Sequence, residues 1–405
     1  MPVASRIADF MRESSWVRRM FEEGARLKRE HGAKNVFDFS LGNPDLDPVQ
    51  AVKDSIFSAA FVDTPGIHGY MPNAGYPEVR AAVAAIIAQD EGVDVDENSI
   101  VMTVGASGAL NVILRTVVNP GDEVVILIPY FCEYPFYVDN HGGRTVKVPT
   151  RSDFLPDLEA IDAAITPKTA AVLINSPNNP TGRVYDEEVI RGLADLLTHR
   201  SSQIGRPIVL VADEPYRAIT FDGVKVPSVL RAYPNTMVAS SFGKSLSMPG
   251  ERLGYVAMSP GMHEAPRTMD GLILSNRILG FVNAPALAQR AVKTVLRDVV
   301  DASVYQRRRD RLYPALTGFG YEMAWPEGAF YVFPKSPLPD ERDFIDLLRK
   351  KLILTVPGTG YGMPGHFRIA FCVTDETIEG ALKGFEEAMR EARRELPGYP
   401  ARAVA

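Results

Sequence analysis

Cysteine is nearly absent: the 405 residues include two, Cys132 and Cys372. Two thiols are too few for a disulfide framework. Each sits among aromatic or apolar neighbours, which points to reduced, packed side chains and a reducing cytoplasm. No apolar run reaches the roughly 18 residues needed to span a bilayer. The opening segment MPVASRIADFMRESSWVRRMF has the mixed periodicity of a short amphipathic helix, without the uninterrupted apolar stretch of a secretion signal. An excess of positive charge is missing too. Lys and Arg total 44 against 50 Asp and Glu, a net charge of −6, so neither nucleic acid nor an anionic membrane is generally attracted. An anionic ligand must be held locally.

Several familiar signatures fail on a single residue. Gly243-Lys-Ser resembles the end of a phosphate-binding P-loop, but the required glycine five residues earlier is Val238. The run GTGYGMPG from Gly358 has Met363 where a dinucleotide fingerprint needs glycine. Gly105-Ala-Ser-Gly has Ala109 where a nucleophile elbow needs glycine. The six histidines are scattered, with neither H-E-x-x-H nor C-x-x-C, so no metal site is expected.

What is present is a globular composition, 46% apolar and 23% charged, without a fixed-period repeat. At about 150 residues per domain the length suggests two or three domains. From residue 75 to 258 helical patterns alternate with short β-branched runs, the rhythm of a mostly parallel sheet covered by helices. Seven strands are predicted, at 99–104, 123–129, 144–149, 169–175, 207–213, 236–241 and 254–258. Several are apolar throughout, as strands buried on both faces should be. After residue 284 the pattern becomes one long, charged connecting helix whose basic residues, including Gln306-Arg-Arg-Arg-Asp-Arg, are expected on a solvated face. A smaller α+β domain follows, with EGAFYVFP (327–334), a helix at DFIDLLRKKL, a strand at 366–372 and a final helix near 375–394. The expected division is a large α/β domain at 49–290, a small domain at 291–405, and an N-terminal segment, 1–48, packed with the small domain.

In an open α/β sheet, ligands bind beyond the carboxyl ends of the strands. Ser107, Phe131, Asn179, Asp213 and Lys244 each follow or close a predicted strand. Five such residues aim at one crevice, and Gly105-Ala106-Ser107, between strand and helix, offers backbone N–H groups to an anion.

The motifs SLGNPD, HGYMPNAGYPEVRAAV, NSPNNPTG, ADEPY, SFGKSLSMPGERLGY and FRIAF, taken in this order, resemble the class I/II aminotransferases of pyridoxal phosphate fold type I. The resemblance runs over nearly the whole chain and implies an aspartate-aminotransferase-like α/β fold. It implies a covalent imine between Lys244 and the cofactor aldehyde, and Asp213 against the pyridine nitrogen. Tyr216 and Asn179 would bond the cofactor phenolate oxygen, and Phe131 would stack on its ring, with Tyr130 or Tyr134 able to share that place. Gly105, Ala106, Ser107, Ser241 and Arg252 would hold the phosphate. Tyr70 would reach the phosphate of a neighbouring subunit, which makes a homodimer with shared sites the expected assembly. Arg368 would clamp the substrate α-carboxylate with a planar two-point bond, and Gly42 would let the backbone approach it.

The implied reaction moves an amino group between an L-amino acid and a 2-oxo acid with ping-pong kinetics, aspartate and 2-oxoglutarate being the first reading. Arg277 lies in the region that supplies a second cation for dicarboxylates in some relatives, one residue out of register, and is equally readable as a solvated arginine. Ser14, Ser15 and Arg18 are further pocket candidates. A cysteine-S-conjugate β-lyase on the same fold is the alternative, and a non-catalytic amino-acid sensor a distant one, since no basic DNA-binding domain precedes residue 40.

Overall fold

The computed structural model of the chain describes residues 2–13 and 15–395, with side chains for 2–11 and 23–394. Among these residues the strands are β1 (Phe37–Asp38), β2 (Ile100–Thr103), β3 (Glu123–Ile128), β4 (Arg144–Pro149), β5 (Thr169–Asn175), β6 (Val209–Asp213), β7 (Thr236–Ser241), β8 (Gly254–Met258), β9 (Tyr331–Val332), β10 (Ile353–Leu354), β11 (Val356–Pro357) and β12 (Phe367–Ala370). β2 to β8 form one sheet in the order β2-β8-β7-β6-β5-β3-β4. β8 runs antiparallel to both neighbours, and the remaining pairs are parallel.

The apolar runs explain this sheet. Successive side chains point to opposite faces. Val125, Leu127, Val172, Ile174, Leu210 and Ala212 enter one hydrophobic cluster, while Val124, Ile126, Ala171, Leu173, Val209 and Val211 enter another on the other face. Each of the Val, Leu and Ile side chains contributes about 1.5–3 kcal/mol on burial. The covering helices have clear limits. Glu187–Ile204 begins where the Asp186 carboxylate accepts from Val189 N at 2.8 Å and ends at the left-handed Gly205, a cap worth about 1 kcal/mol.

A second region is built on small sheets. β1 pairs in parallel with β10, and β11-β12-β9 form an antiparallel trio. Phe39, Phe330, Phe344, Phe367, Ile369 and Phe385 share its core. The chain thus passes from β1 through residues 40–49 to the helix Gln50–Ala60, which packs beside Ala286–Val292.

Two expectations from the sequence are corrected here. The long connecting helix is two helices, Ala286–Val292 and Ala302–Phe319. Asp301 restarts the second by accepting from Ser303 N at 2.9 Å, and Val300 N donates to Ser245 O at 2.8 Å, so a tertiary bond takes the place of helix continuation. The basic run is only partly a solvated face: Arg307 and Arg311 are exposed, but two of its arginines turn inward. Arg309 is only 1% exposed and Arg308 is also buried. Each is held by carboxylates: Arg309 bonds Asp222 at 2.7 and 3.0 Å, and Arg308 bonds Asp45 and Asp375 at 2.8 Å. A charge can be buried only with such partners, and periodicity does not display them.

Candidate active site

Parallel pairing brings the carboxyl ends of β5, β6 and β7 level, with Asn175 beside Asp213 and Asp213 beside Ala239. Beyond them lies a cavity of about 300 Å³ whose lining includes Gly42, Ala106, Ser107, Phe131, Asn179, Asp213, Tyr216, Ser241, Lys244, Arg252 and Arg368. Residues separated by more than 300 positions therefore share one space.

Asp213 is buried at the end of β6. Its Oδ2 accepts a hydrogen bond from Tyr134 Oη at 2.5 Å, and its Oδ1 has no partner among the described residues. Burial pushes the carboxyl up to about 7, with the Tyr134 hydrogen bond acting the other way. Lys244 stands in the short helix Phe242–Ser245 directly after β7, and its Nζ donates to Gly42 O at 2.5 Å. Burial, reinforced by the positive charges of Arg368 and Arg252, brings its ammonium down to about 8. An amine in that range is available as a nucleophile or base near neutrality.

Arg368 comes from β12 and is buried, not exposed on the strand's outer face. It donates to Asn179 Oδ1 at 3.0 Å and to Ser40 O at 2.6 Å, while its Nε has no partner among the described residues. Its guanidinium lies 4.7 Å from the Tyr331 ring centre and 5.1 Å from that of Tyr361. The Tyr216 hydroxyl bonds that of Tyr331 at 2.7 Å.

At the opposite end, the helix Gly105–Val117 directs its first N–H groups toward the cavity. Arg252 closes this cradle. It bonds Pro249 O at 3.1 Å and lies so close that a Cβ on Gly105, whose φ is +69°, would stand 3.0 Å from its Nη2. A Cβ on Gly254 of β8 would stand 2.7 Å from Gly105 C and 2.8 Å from Gly105 Cα, so strand and helix turn meet there without a side chain.

Residues 34–385 match the family described as aminotransferase class I and II. The chain belongs to this family. An aminotransferase from Eubacterium rectale is 38% identical with a TM-score of 0.93, covering 97% of this chain and 99% of that one. The aspartate aminotransferase of Thermus thermophilus with maleate is 30% identical, with a TM-score of 0.84 over 96% and 100% of the two chains. A probable aspartate/prephenate aminotransferase of Thermus aquaticus is 33% identical over 357 residues, 87% of this chain and 91% of its own. The chain is a pyridoxal-phosphate-dependent transaminase, and these relatives do not favour the lyase or sensor readings.

The residues of this aminotransferase fit that cofactor. The orphan Asp213 oxygen suits a protonated ring nitrogen, Lys244 suits an aldehyde, and the helix N-terminus with Ser107, Ser241 and Arg252 suits a phosphate. No cluster among the described residues could hold a metal ion.

Two expected site residues stand apart from the cavity. Tyr70 is 93% exposed, and Arg277, on the last turn of Ala265–Ile278, is also exposed. Ser14 and the side chains of Ser15 and Arg18 lie outside the described residues. Sequence reasoning missed Tyr134 as the donor to Asp213, and missed Tyr331 and Tyr361 beneath Arg368; their aromatic motifs gave no sign of these partners. Cys132, read as packing, lines the cavity, but burial pushes its thiol up to about 12, so it is no nucleophile.

Proposed function

We propose that the enzyme moves an amino group between an L-amino acid and a 2-oxo acid by a ping-pong mechanism, with aspartate and 2-oxoglutarate as the first pair to test. The convergence of Lys244, Asp213 and Arg368 on one cavity carries this reading, and the names of the relatives supply aspartate. When bound, pyridoxal phosphate supplies an aldehyde for the amine and a ring that accepts electrons. Lys244 would hold it covalently, Asp213 would keep its ring nitrogen protonated, and Asn179 and Tyr216 would face its phenolate oxygen. Phe131 would cover the ring, while Gly105, Ala106, Ser107, Ser241 and Arg252 would hold the phosphate.

Arg368 binds and orients the substrate carboxylate, with Gly42 at its side. Lys244 Nζ, neutral once the pH exceeds about 8, takes and returns the proton at substrate Cα. The buried aromatic wall of Tyr331, Tyr361 and Tyr216 excludes water from this transfer.

The same reading makes residues 49–290 the cofactor domain and 291–405, with 1–48, the substrate domain, in a cytoplasmic homodimer. The exposure of Tyr70, Phe57 and Phe61 supports a covering second copy whose site Tyr70 completes. Arg277 would then serve as the dicarboxylate cation in that shared site. Specificity constants for Asp, Ala, Met and Phe test the donor. An absence of dicarboxylate preference, or no loss of one in Arg277→Ala, removes Arg277 from the reading. Sedimentation of a fully active monomer overturns the dimer. The central test is the visible spectrum with added cofactor: a band that amino acid shifts is expected in the wild type and is lost in Lys244→Ala. A wild type without it defeats the mechanism.

A further inference from the structure

The segment 40–46 crosses the mouth of the cavity between β1 and the first helix of the large region, and its backbone is held from both sides. Arg368 donates to Ser40 O at 2.6 Å and Lys244 to Gly42 O at 2.5 Å, while the Ser247 hydroxyl donates to Leu46 O. Cys372 Sγ lies 3.6 Å from Leu41 O. These bonds all end on carbonyls, which any sequence would offer. The side chain of Asp45 makes the ionic tie. Arg308 grips both its oxygens at 2.8 Å with a planar fork and spends its remaining Nε–H on Asp375, also at 2.8 Å. Arg308 is buried in the small-region core beside the Tyr305 ring, whereas the strap it grips runs on into the large region.

We propose that Arg308 is a positioning residue for the substrate carboxylate, acting through Asp45 to hold the strap 40–46 at the depth where Ser40 O aims Arg368 and Gly42 faces Lys244. The inference rests on the reading of Arg368 as carboxylate clamp. Two features make the depth matter. A Cβ on Gly42 would collide with the Tyr331 hydroxyl, so the strap already lies against that ring and only its lack of a side chain lets it sit this deep. One edge of the Arg368 guanidinium is committed to Ser40 O, so outward movement of the strap turns the guanidinium with it. The fork geometry is specific to arginine, since an ammonium cannot grip both oxygens in one plane.

The test uses the full chain loaded with cofactor and compares wild type, Arg308→Met, Arg308→Lys and Asp45→Asn. Maleate is the probe for carboxylate binding, and hydrogen exchange by mass spectrometry reports the strap directly. The expected result is maleate affinity and amino-acid KM each weakened about 10- to 100-fold in Arg308→Met and Asp45→Asn. Turnover should change by less than about threefold, Arg308→Lys should fall between, and exchange should quicken at 40–46 but not in β5 to β7. A lowered melting temperature with maleate affinity within about twofold of wild type would mean a merely structural pair and would overturn the proposal. If Arg308→Met fails to fold, the near-isosteric Asp45→Asn decides by the same readouts. A wild type that binds maleate but does not transaminate sinks the functional reading and leaves the strap measurement standing.

Discussion

Asp213 and Glu214 are consecutive, both nearly inaccessible, and both pushed up by burial, yet they face different worlds. Glu214 turns away from the site and bonds Arg217 at 2.8 Å. Arg217 in turn pairs with Glu91 at 3.3 Å, and Glu91 accepts from Ser228 at 2.6 Å. Asp213 turns into the cavity with Tyr134 as its hydrogen-bond donor and one oxygen unpartnered. The fold supplies a cation for Glu214 and leaves Asp213 with an oxygen that has no partner among the described residues, as the proposed cofactor role requires. That contrast separates a structural ion pair from a functional carboxylate more sharply than burial does.

The largest test of the contrast is Asp213→Asn, which removes the charge proposed to lie opposite the ring. Transamination should fall on the order of 10²–10³-fold in kcat, and Glu214→Gln should stay within about tenfold of wild type. Equal losses would erase the distinction.

The second test uses protein stripped of cofactor. A carboxyl held at about 7 instead of 3.8 stabilises the fold fully below its unfolded value, and that contribution is lost as the pH rises through 7. Without cofactor, Asp213→Asn should therefore be more stable than wild type at pH 8, by up to about 4 kcal/mol. The two should converge near pH 4. Thermal melts across that window check the sign, and a wild type equally stable at both ends would contradict it.

Glu214→Gln should move in the same direction at pH 8 but by less, since burial raises this carboxyl from 4.5 to about 7 while Arg217 opposes the rise, and Arg217 keeps Glu91 as a partner. Denaturant unfolding at pH 8 and pH 4 checks the sign. The smallest effect is reserved for Tyr134→Phe. Removing a single donor to Asp213 should cost about tenfold or less in kcat/KM, and should raise the pH at which the remaining carboxyl ionises, read from the pH dependence of the bound cofactor's absorbance.

Much of this arrangement was legible in the chain. β5, β7 and β8 form where their β-branched runs predict, because a strand buried on both faces has a composition that loops and helices rarely imitate, and the half-exposed edge strand β4 also forms where its alternating run predicts. Lys244, Asp213 and Asn179 could be placed at one crevice because strand ends in such sheets point the same way, whereas Arg368, on β12 of the small region, was placed there only by the resemblance of its motif. What stayed hidden depends on distant partners. Tyr134 is 79 residues from Asp213, and the fork between Asp45 and Arg308 spans 263 positions. An arginine that finds two carboxylates is indistinguishable in a helical pattern from one that faces water. The interruption between Ala286–Val292 and Ala302–Phe319 was hidden for the same reason, being fixed by a bond from Val300 to Ser245.

The meeting of Gly105 with Gly254 sets a limit on how far the enzyme can be remodelled. The bare Cα of Gly254 on an antiparallel strand bears directly on the backbone of Gly105, in the turn proposed to cradle the phosphate, while a Cβ on Gly105 would meet Arg252. Any methyl group there pushes the donors outward, whatever the substrate. Libraries built to widen the range of accepted donors would best spare both glycines.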